Sequence, residues 1–332
     1  MHIPIRSVDA EKQRNDRTYA QSRAECVMEL HSRRVLYAHQ SDTRLPMAST
    51  TKIVTAITVL EHCADLQEEI VIPTEATGIE GSSVYLKSGD TYTVNDLLYG
   101  LMLRSGNDCA TALALRFGNS IDKFSVKMNE TAQKAGALNS NFKNPHGLPC
   151  ADHYTTAKDL SMIACYAMQN ADFCKIVSTK YYEPRNWKNK NKMLYTFDGG
   201  IGVKTGYTKE AGRCLVSAGK RGETVLICTV LNSPAMYERS TQLLEDAFEA
   251  YSYETIVKTN DIFTLKKGNT IFTARAKESF SYPLLKEEKE RIAIKTYALE
   301  KPSIWQLKEK IVGIFEIYLS NQLLFSGNLY KL

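Results

Sequence analysis

The sequence predicts an α+β domain, an antiparallel sheet flanked by helices, followed by a small all-β domain. Two strongly apolar strand pairs, at 24–40 and 214–231, bracket a long stretch whose apolar residues recur at helical spacing. Beyond residue 252 that spacing gives way to short alternating segments separated by Lys, Asn and Gly turns. The length, 332 residues, suits about two domains of roughly 150 residues each.

In chain order, residues 24–30 (AECVMEL) and 35–40 (VLYAHQ), split by His31-Ser32-Arg33-Arg34, form a strand hairpin. After Pro46, residues 49–62 (STTKIVTAITVLEH) carry apolar side chains at helical spacing, and the Ser/Thr run at their start is expected to cap the free N–H groups. Helical patterns follow at about 94–103, 107–117, 121–136 and 156–169. CLVSAG, the turn KRGE and TVLICTVL (214–231) make a hairpin with the continuous apolar character of central strands. A helix at 235–251 places Leu243, Leu244, Ala247 and Phe248 on one face. TIVK, DIFTL, TIFTARA, RIAIKTYAL, IVGIFEIYL and QLLFSGNLY then supply the strands of the β domain. The expected division is an N-terminal extension at 1–22, a larger domain at 23–251 and the β domain at 252–332.

Composition removes several classes. A hydrophobic share of 43% and a charged share of 24% are those of an ordinary globular chain. The net charge of +5 is small and scattered, which argues against a nucleic-acid partner. Tyr181, Tyr182 and Trp187, interleaved with Lys and Arg over 180–192, read as a solvated loop near a cleft rather than a base-stacking surface. The apolar run Leu97–Leu103 stops at Arg104, well short of a membrane span. The start, MHIPIRSVDAEKQRNDR, lacks the apolar core of a secretory signal, so the chain either stays inside the cell or has lost a signal. The eight cysteines contain no C-x-x-C pair, and several lie in apolar runs, which favours reduced thiols acting as small hydrophobes. His146 and His153 lack H-E-x-x-H and G-x-S-x-G surroundings, so no metal site is expected and they are read as positioning a loop.

The chemistry lies in three short motifs: Ser49-Thr50-Thr51-Lys52, Ser105-Gly106-Asn107 and Lys204-Thr205-Gly206. Singly they mean little, because S-x-x-K recurs at Ser120, Ser140 and Ser217. Context selects among them. Only Ser49 and Lys52 stand at the start of an apolar helix, sharing a face at i and i+3. Only Ser105-Gly106-Asn107 breaks two helices, and only Lys204-Thr205-Gly206 leads into the apolar hairpin. A serine hydroxyl needs a base within hydrogen-bond reach, and a lysine serves only when neutral, which burial and a second cation such as Lys204 favour. Ser105 is then placed to relay a proton to a leaving amine, Asn107 to orient Lys52 and hold a substrate amide, and Lys204 and Thr205 to bind a carboxylate.

This constellation is that of class A β-lactamases and penicillin-binding proteins. The stretches RLPMASTTKIVTAITVLEH, LLYGLMLRSGNDCATALA, FKNPHGLPCADHYTTAKDL and GGIGVKTGYTKEAGRCLVSA closely resemble the D-alanyl-D-alanine carboxypeptidases among low-molecular-mass penicillin-binding proteins, over about residues 23–251. The resemblance implies a β-lactamase/transpeptidase-like fold and a serine DD-peptidase that acts, without metal or organic cofactor, on peptidoglycan stem peptides ending in D-Ala-D-Ala. It implies inhibition by β-lactams, a place outside the cytoplasmic membrane after removal of a signal, and peripheral membrane association. Carried over by residue, Ser49 is the nucleophile, Lys52 its base, Ser105 and Asn107 the second motif, and Lys204, Thr205 and Gly206 the edge-strand motif. The N–H groups of Ser49 and Tyr207 form the oxyanion hole, and Arg239 is expected near the substrate carboxylate. The rival readings are a β-lactamase on the same fold, which the absence of E-x-x-L-N between Asn107 and Lys204 disfavours, and a non-catalytic wall-binding or sporulation scaffold, which the intact motif set disfavours.

Overall fold

The computed structural model describes residues 22–332, so the expected N-terminal extension lies outside the described residues except for Ser22. Two units divide the chain, the first ending at Ala247 and the second running Phe248–Leu332, where the sequence alone set the division near 252.

The first unit opens with the hairpin β1 (Ala24–Glu29) and β2 (Val35–His39), all of β1 being buried. A 3₁₀ turn, Ala48–Thr51, leads into α1 (Lys52–His62). The hairpin β3 (Glu69–Val71) and β4 (Thr91–Thr93) precedes α2 (Val94–Tyr99), which continues as a π-helical turn to Arg104. Helices α3 (Asn107–Gly118), α4 (Ile121–Ala135), α5 (Ala157–Ala167) and α6 (Ala171–Ser178) follow. The small hairpin β5 (Tyr181–Tyr182) and β6 (Trp187–Lys188) and the turn α7 (Met193–Thr196) lead to β7 (Gly200–Thr208), β8 (Gly212–Arg221), β9 (Thr224–Leu231) and α8 (Met236–Ala250).

The main sheet has the order β2-β1-β9-β8-β7. Every pairing in it is antiparallel, and β1 joins β9 from Ala24↔Leu231 to Glu29↔Leu226. The two apolar hairpins therefore close into one sheet, and β7, with the third motif, is left as an edge. Helix α1 is buried from Lys52 to Val59, which explains a sequence apolar nearly all round: it is a central helix rather than an amphipathic surface one.

Side-chain caps occur at Thr93, Ser120, Thr156 and Asn170, each accepting an N–H from the first turn of its helix. The cap expected at α1 does not form. The preceding 3₁₀ turn already accepts the Lys52 N–H through the carbonyls of Ser49 and Thr50, so the hydroxyls of this segment go elsewhere. The short β3–β4 and β5–β6 hairpins and helix α6 were not foreseen, the former because two- and three-residue strands carry no readable period. All eight cysteines are free thiols, and burial pushes those of Cys26 and Cys228 up to about 12.

In the second unit β10 (Tyr251–Val257) leads to β11 (Ile262–Lys267), β12 (Thr270–Ala276), β13 (Phe280–Leu285), β14 (Ile292–Ala298), helix α9 (Ile304–Lys308), β15 (Ile311–Leu319) and β16 (Gln322–Lys331). β10 pairs with β13, and the rest form a sheet in the order β11-β12-β16-β15-β14. Val257, Leu265, Ala274, Phe315, Ile317 and Leu329 make its core. β13 was not expected because Pro283 interrupts its strand pattern, and it sits in a two-stranded ladder where a missing N–H is tolerated.

Candidate active site

Ser49 lies in the 3₁₀ turn and Lys52 at the first position of α1, so one turn of backbone brings their side chains together with Lys52 Nζ 2.9 Å from Ser49 Oγ. Nζ also donates to Asn107 Oδ1 and to the His146 carbonyl oxygen, both at 2.7 Å. The Lys52 side chain is fully buried. Burial drives its pKa well below that of a free lysine, and the nearby Lys204 adds to the effect. A neutral amine has two N–H groups and one lone pair. The Asn107 and His146 oxygens are obligate acceptors that engage two of its N–H groups, and Ser49 Oγ lies within hydrogen-bond reach of Nζ, where a neutral amine would turn its lone pair to the hydroxyl.

Asn107 is fixed from two sides. Its Nδ2 donates to the Glu80 carbonyl at 2.5 Å, which settles the orientation of the amide, and its backbone N–H donates to Ser82 O at 2.7 Å. Ser105, two residues earlier, has φ of 66°, a left-handed conformation uncommon for serine, and is nearly buried. It ends the π-helical turn, and the Gly106 N–H bonds back to Gly100 O at 3.1 Å. The adjoining Asp108 accepts from Ser83 Oγ (2.5 Å), Val84 N–H (3.0 Å) and Leu86 N–H (3.1 Å), so the segment 80–86 is tied to the second motif.

Lys204 is buried in β7 and donates to the Thr205 carbonyl at 3.0 Å. Burial first, and then the charge of Lys190, lowers its pKa to about 7. The edge strand meets the Ser49 turn at Gly206: a Cβ there would stand 3.0 Å from the backbone nitrogens of both Ser49 and Thr50 and 2.9 Å from Met47 O. Only glycine allows that approach. Tyr207, the next residue, turns its ring outward at 65% exposure.

The structure thus brings Ser49, Lys52 and Asn107 into direct hydrogen bonding, holds Ser105 two residues before Asn107 and lays the edge strand at Gly206 against the serine turn. Arg239 is not among them. Its guanidinium makes two bonds to the fully buried Glu25 carboxylate, 2.8 and 2.7 Å, and a third to the Tyr37 hydroxyl at 3.1 Å. Burial by itself raises the Glu25 carboxyl, but the bonds from Arg239 and Ser22 outweigh it and leave the group below its usual range. Glu25 belongs to β1, three strands from β7 in the sheet order, or ~14 Å at the usual strand spacing. The expected carboxylate ligand is instead half of a structural ion pair.

Sequence reasoning missed the His146 carbonyl as part of the site, while the rings of His146 and His153 position the loop through hydrogen bonds, as expected. His146 contributes its carbonyl, while its ring, held neutral by burial with a pKa of about 3, accepts the Leu148 N–H at 3.2 Å. His153 Nδ1 accepts from Lys143 N–H at 2.9 Å, so the proton of the neutral ring is on Nε2 and is donated to Thr51 Oγ1 at 3.0 Å. Gly147, at φ of 89°, presses so closely on the serine turn that a Cβ would fall 1.9 Å from Ala48 O. The Asn-Pro-His-Gly sequence signalled a tight loop, and its contact with the serine turn appears only in three dimensions.

A sequence profile of the D-alanyl-D-alanine carboxypeptidase family matches residues 10–235. The chain is 30% identical over 269 residues to the D-alanyl-D-alanine carboxypeptidase DacF of Bacillus subtilis, covering 76% of this chain and 69% of that protein. It is 37% identical over 239 residues to a D-alanyl-D-alanine carboxypeptidase of Streptomyces sp. strain K15, covering 64% and 82%. Among solved structures, that of the D-alanyl-D-alanine carboxypeptidase DacD from Francisella tularensis superposes with a TM-score of 0.72 at 25% identity, covering 94% of this chain and 93% of that one.

Proposed function

The chain belongs to the D-alanyl-D-alanine carboxypeptidase family of serine peptidases, and from that premise we propose that Ser49 cleaves the terminal D-Ala from peptidoglycan pentapeptides. The observation that carries this reading is the buried Lys52 amine, which donates to the neutral oxygens of Asn107 and His146 and stands 2.9 Å from Ser49 Oγ. Lys52 takes the hydroxyl proton as Ser49 Oγ attacks the carbonyl carbon of the penultimate D-Ala. The N–H groups of Ser49 and Tyr207 receive the oxyanion, at the point where the edge strand crosses the serine turn. As the tetrahedral adduct collapses, the C–N bond breaks and the proton held by Lys52 passes to the departing amine of D-Ala through Ser105, which gives its own proton and takes that of Lys52. Water then attacks the ester, Lys52 taking its proton and passing it to the departing Ser49 Oγ, which restores Ser49 and releases the shortened peptide.

Lys204, cationic below about pH 7, and Thr205 bind the terminal carboxylate, Arg239 being held by Glu25. Gly206 matters for its missing side chain. A β-lactam presents the same carbonyl and carboxylate, and its ring-opened acyl group stays on Ser49. A substrate of this kind fits an enzyme that works at the outer face of the cytoplasmic membrane, with the peripheral association that the family resemblance implies, in the trimming of the cell wall that sets cell shape.

Mass spectrometry after exposure to penicillin tests the reading. A stable penicilloyl adduct on Ser49, with release of D-Ala from a D-Ala-D-Ala peptide and slow release from its C-terminal amide, is the expected result. Rapid penicillin hydrolysis without D-Ala release would make the protein a β-lactamase.

A further inference from the structure

The connection between β14 and β15 presents three large apolar side chains to solvent. Ile304 is 88%, Trp305 58% and Leu307 61% exposed, and no residue of α9 is buried. The helix does not depend on those side chains. Ser303 Oγ accepts the Gln306 N–H and Gln306 Oε1 accepts the Ser303 N–H, a reciprocal cap that fixes the turn with polar groups alone. Lys267 reaches over from the β11–β12 turn to donate to the carbonyls of Leu299 (2.9 Å) and Glu300 (3.1 Å), which steadies the base of the connection. Around the apolar trio stand Lys301, Lys308 and Lys310, and with Lys267 they outnumber Glu300 and Glu309.

An ordered, capped turn that keeps three apolar side chains in water has a cost only a partner removes. A five-residue tip offers far less than the roughly 800 Å² per partner of a standard protein interface. Its side chains project outward from a short turn, a shape suited to a deformable phase that closes around them. Isoleucine and leucine enter the acyl boundary, an indole settles at headgroup depth, and lysines keep their ammonium groups among lipid phosphates while their stems lie along the apolar surface. We propose that the α9 tip is a membrane-insertion site by which the second unit docks on an anionic lipid bilayer.

Cosedimentation of the full chain with phosphatidylcholine/phosphatidylglycerol vesicles tests this. The protein should pellet with them, less so as salt is added, and the combined Ile304→Ser, Trp305→Ser and Leu307→Ser exchange should lower the partition coefficient by about tenfold or more. Those side chains belong to no core, so the melting temperature should not change and the loss is not one of folding. Trp305 emission should shift to the blue on binding. Trp305→Phe should remove that shift, leaving Trp187 as the only tryptophan, and should still bind. Wild type that stays in the supernatant, or vesicle binding untouched by the triple exchange, would overturn the proposal. So would a dimer that the triple exchange abolishes in the absence of any vesicle binding.

Discussion

The amine of Lys52 meets the side-chain oxygen of Asn107 at 2.7 Å across 55 residues of chain. The meeting has a fixed sense, because the Asn107 amide nitrogen is committed to Glu80 O. A neutral acceptor at this point engages an N–H of Lys52 without adding a negative charge that would stabilise the ammonium form.

Asn107→Asp should therefore convert Lys52 from base to ammonium. A carboxylate against the buried amine raises its pKa, so the rising limb of acylation should move to higher pH, and acylation near pH 7 should fall by up to about tenfold for each unit of that move. Penicillin acylation rates measured against pH would show it; an unmoved limb would mean that the Lys52 proton is not the one being titrated.

Lys52→Arg should give no penicilloyl adduct, since a guanidinium stays protonated and its fork does not fit the three acceptors around Nζ. Ser49→Ala should be equally silent, whereas changes at Ser120, Ser140 and Ser217 should leave labelling intact. An adduct mapped by mass spectrometry to any of those three would displace Ser49.

Gly206→Ala forces the edge strand and the serine turn apart by a few tenths of an ångström, because the new methyl would press on the backbone nitrogens of Ser49 and Thr50. Acylation should slow by about 10²-fold, the cost of one misplaced oxyanion donor, with little change in melting temperature. Acylation at the wild-type rate would place the oxyanion elsewhere.

The pH dependence of turnover should separate binding from chemistry. As pH rises through about 7 the free enzyme loses the Lys204 charge, so kcat/KM for a peptide carboxylate falls. In the complex the bound carboxylate holds that proton, and kcat falls only at higher pH. A C-terminal amide substrate should lack this split between the two profiles.

Arg239→Ala strands the buried carboxylate of Glu25 and should cost about 3 kcal/mol or more in urea unfolding. The folded fraction should keep its KM for the peptide. Pairing the change with Glu25→Leu should return much of the stability. A raised KM with unchanged stability would instead return Arg239 to the substrate.

The parts of the site legible in sequence are those whose information is local. Ser49 and Lys52 stand three residues apart at a helix start, Ser105-Gly106-Asn107 interrupts two helical patterns, and Lys204-Thr205-Gly206 enters an apolar hairpin. Side-chain identity and spacing suffice for these, because a helical turn or a strand pair fixes their relative geometry. The two apolar hairpins and the alternating segments after residue 252 announced the two sheets for the same reason.

What only the tertiary structure decided concerns groups without identity in the sequence. The third partner of Lys52 is a backbone carbonyl, and since every residue carries one, nothing in the letters marks that of His146 or those of Glu80 and Ser82. The hydroxyls of Thr50 and Thr51 look like caps, yet they bond to Met47 O and the His153 ring because a 3₁₀ turn had already supplied acceptors for the helix. Arg239 looks like a substrate ligand, and it became the partner of Glu25 because β1 inserts beside β9 and sets a buried carboxylate within its reach. A charge buried in a low-dielectric interior must be paired, and which charge it meets is fixed by strand order, a long-range property that no local spacing encodes.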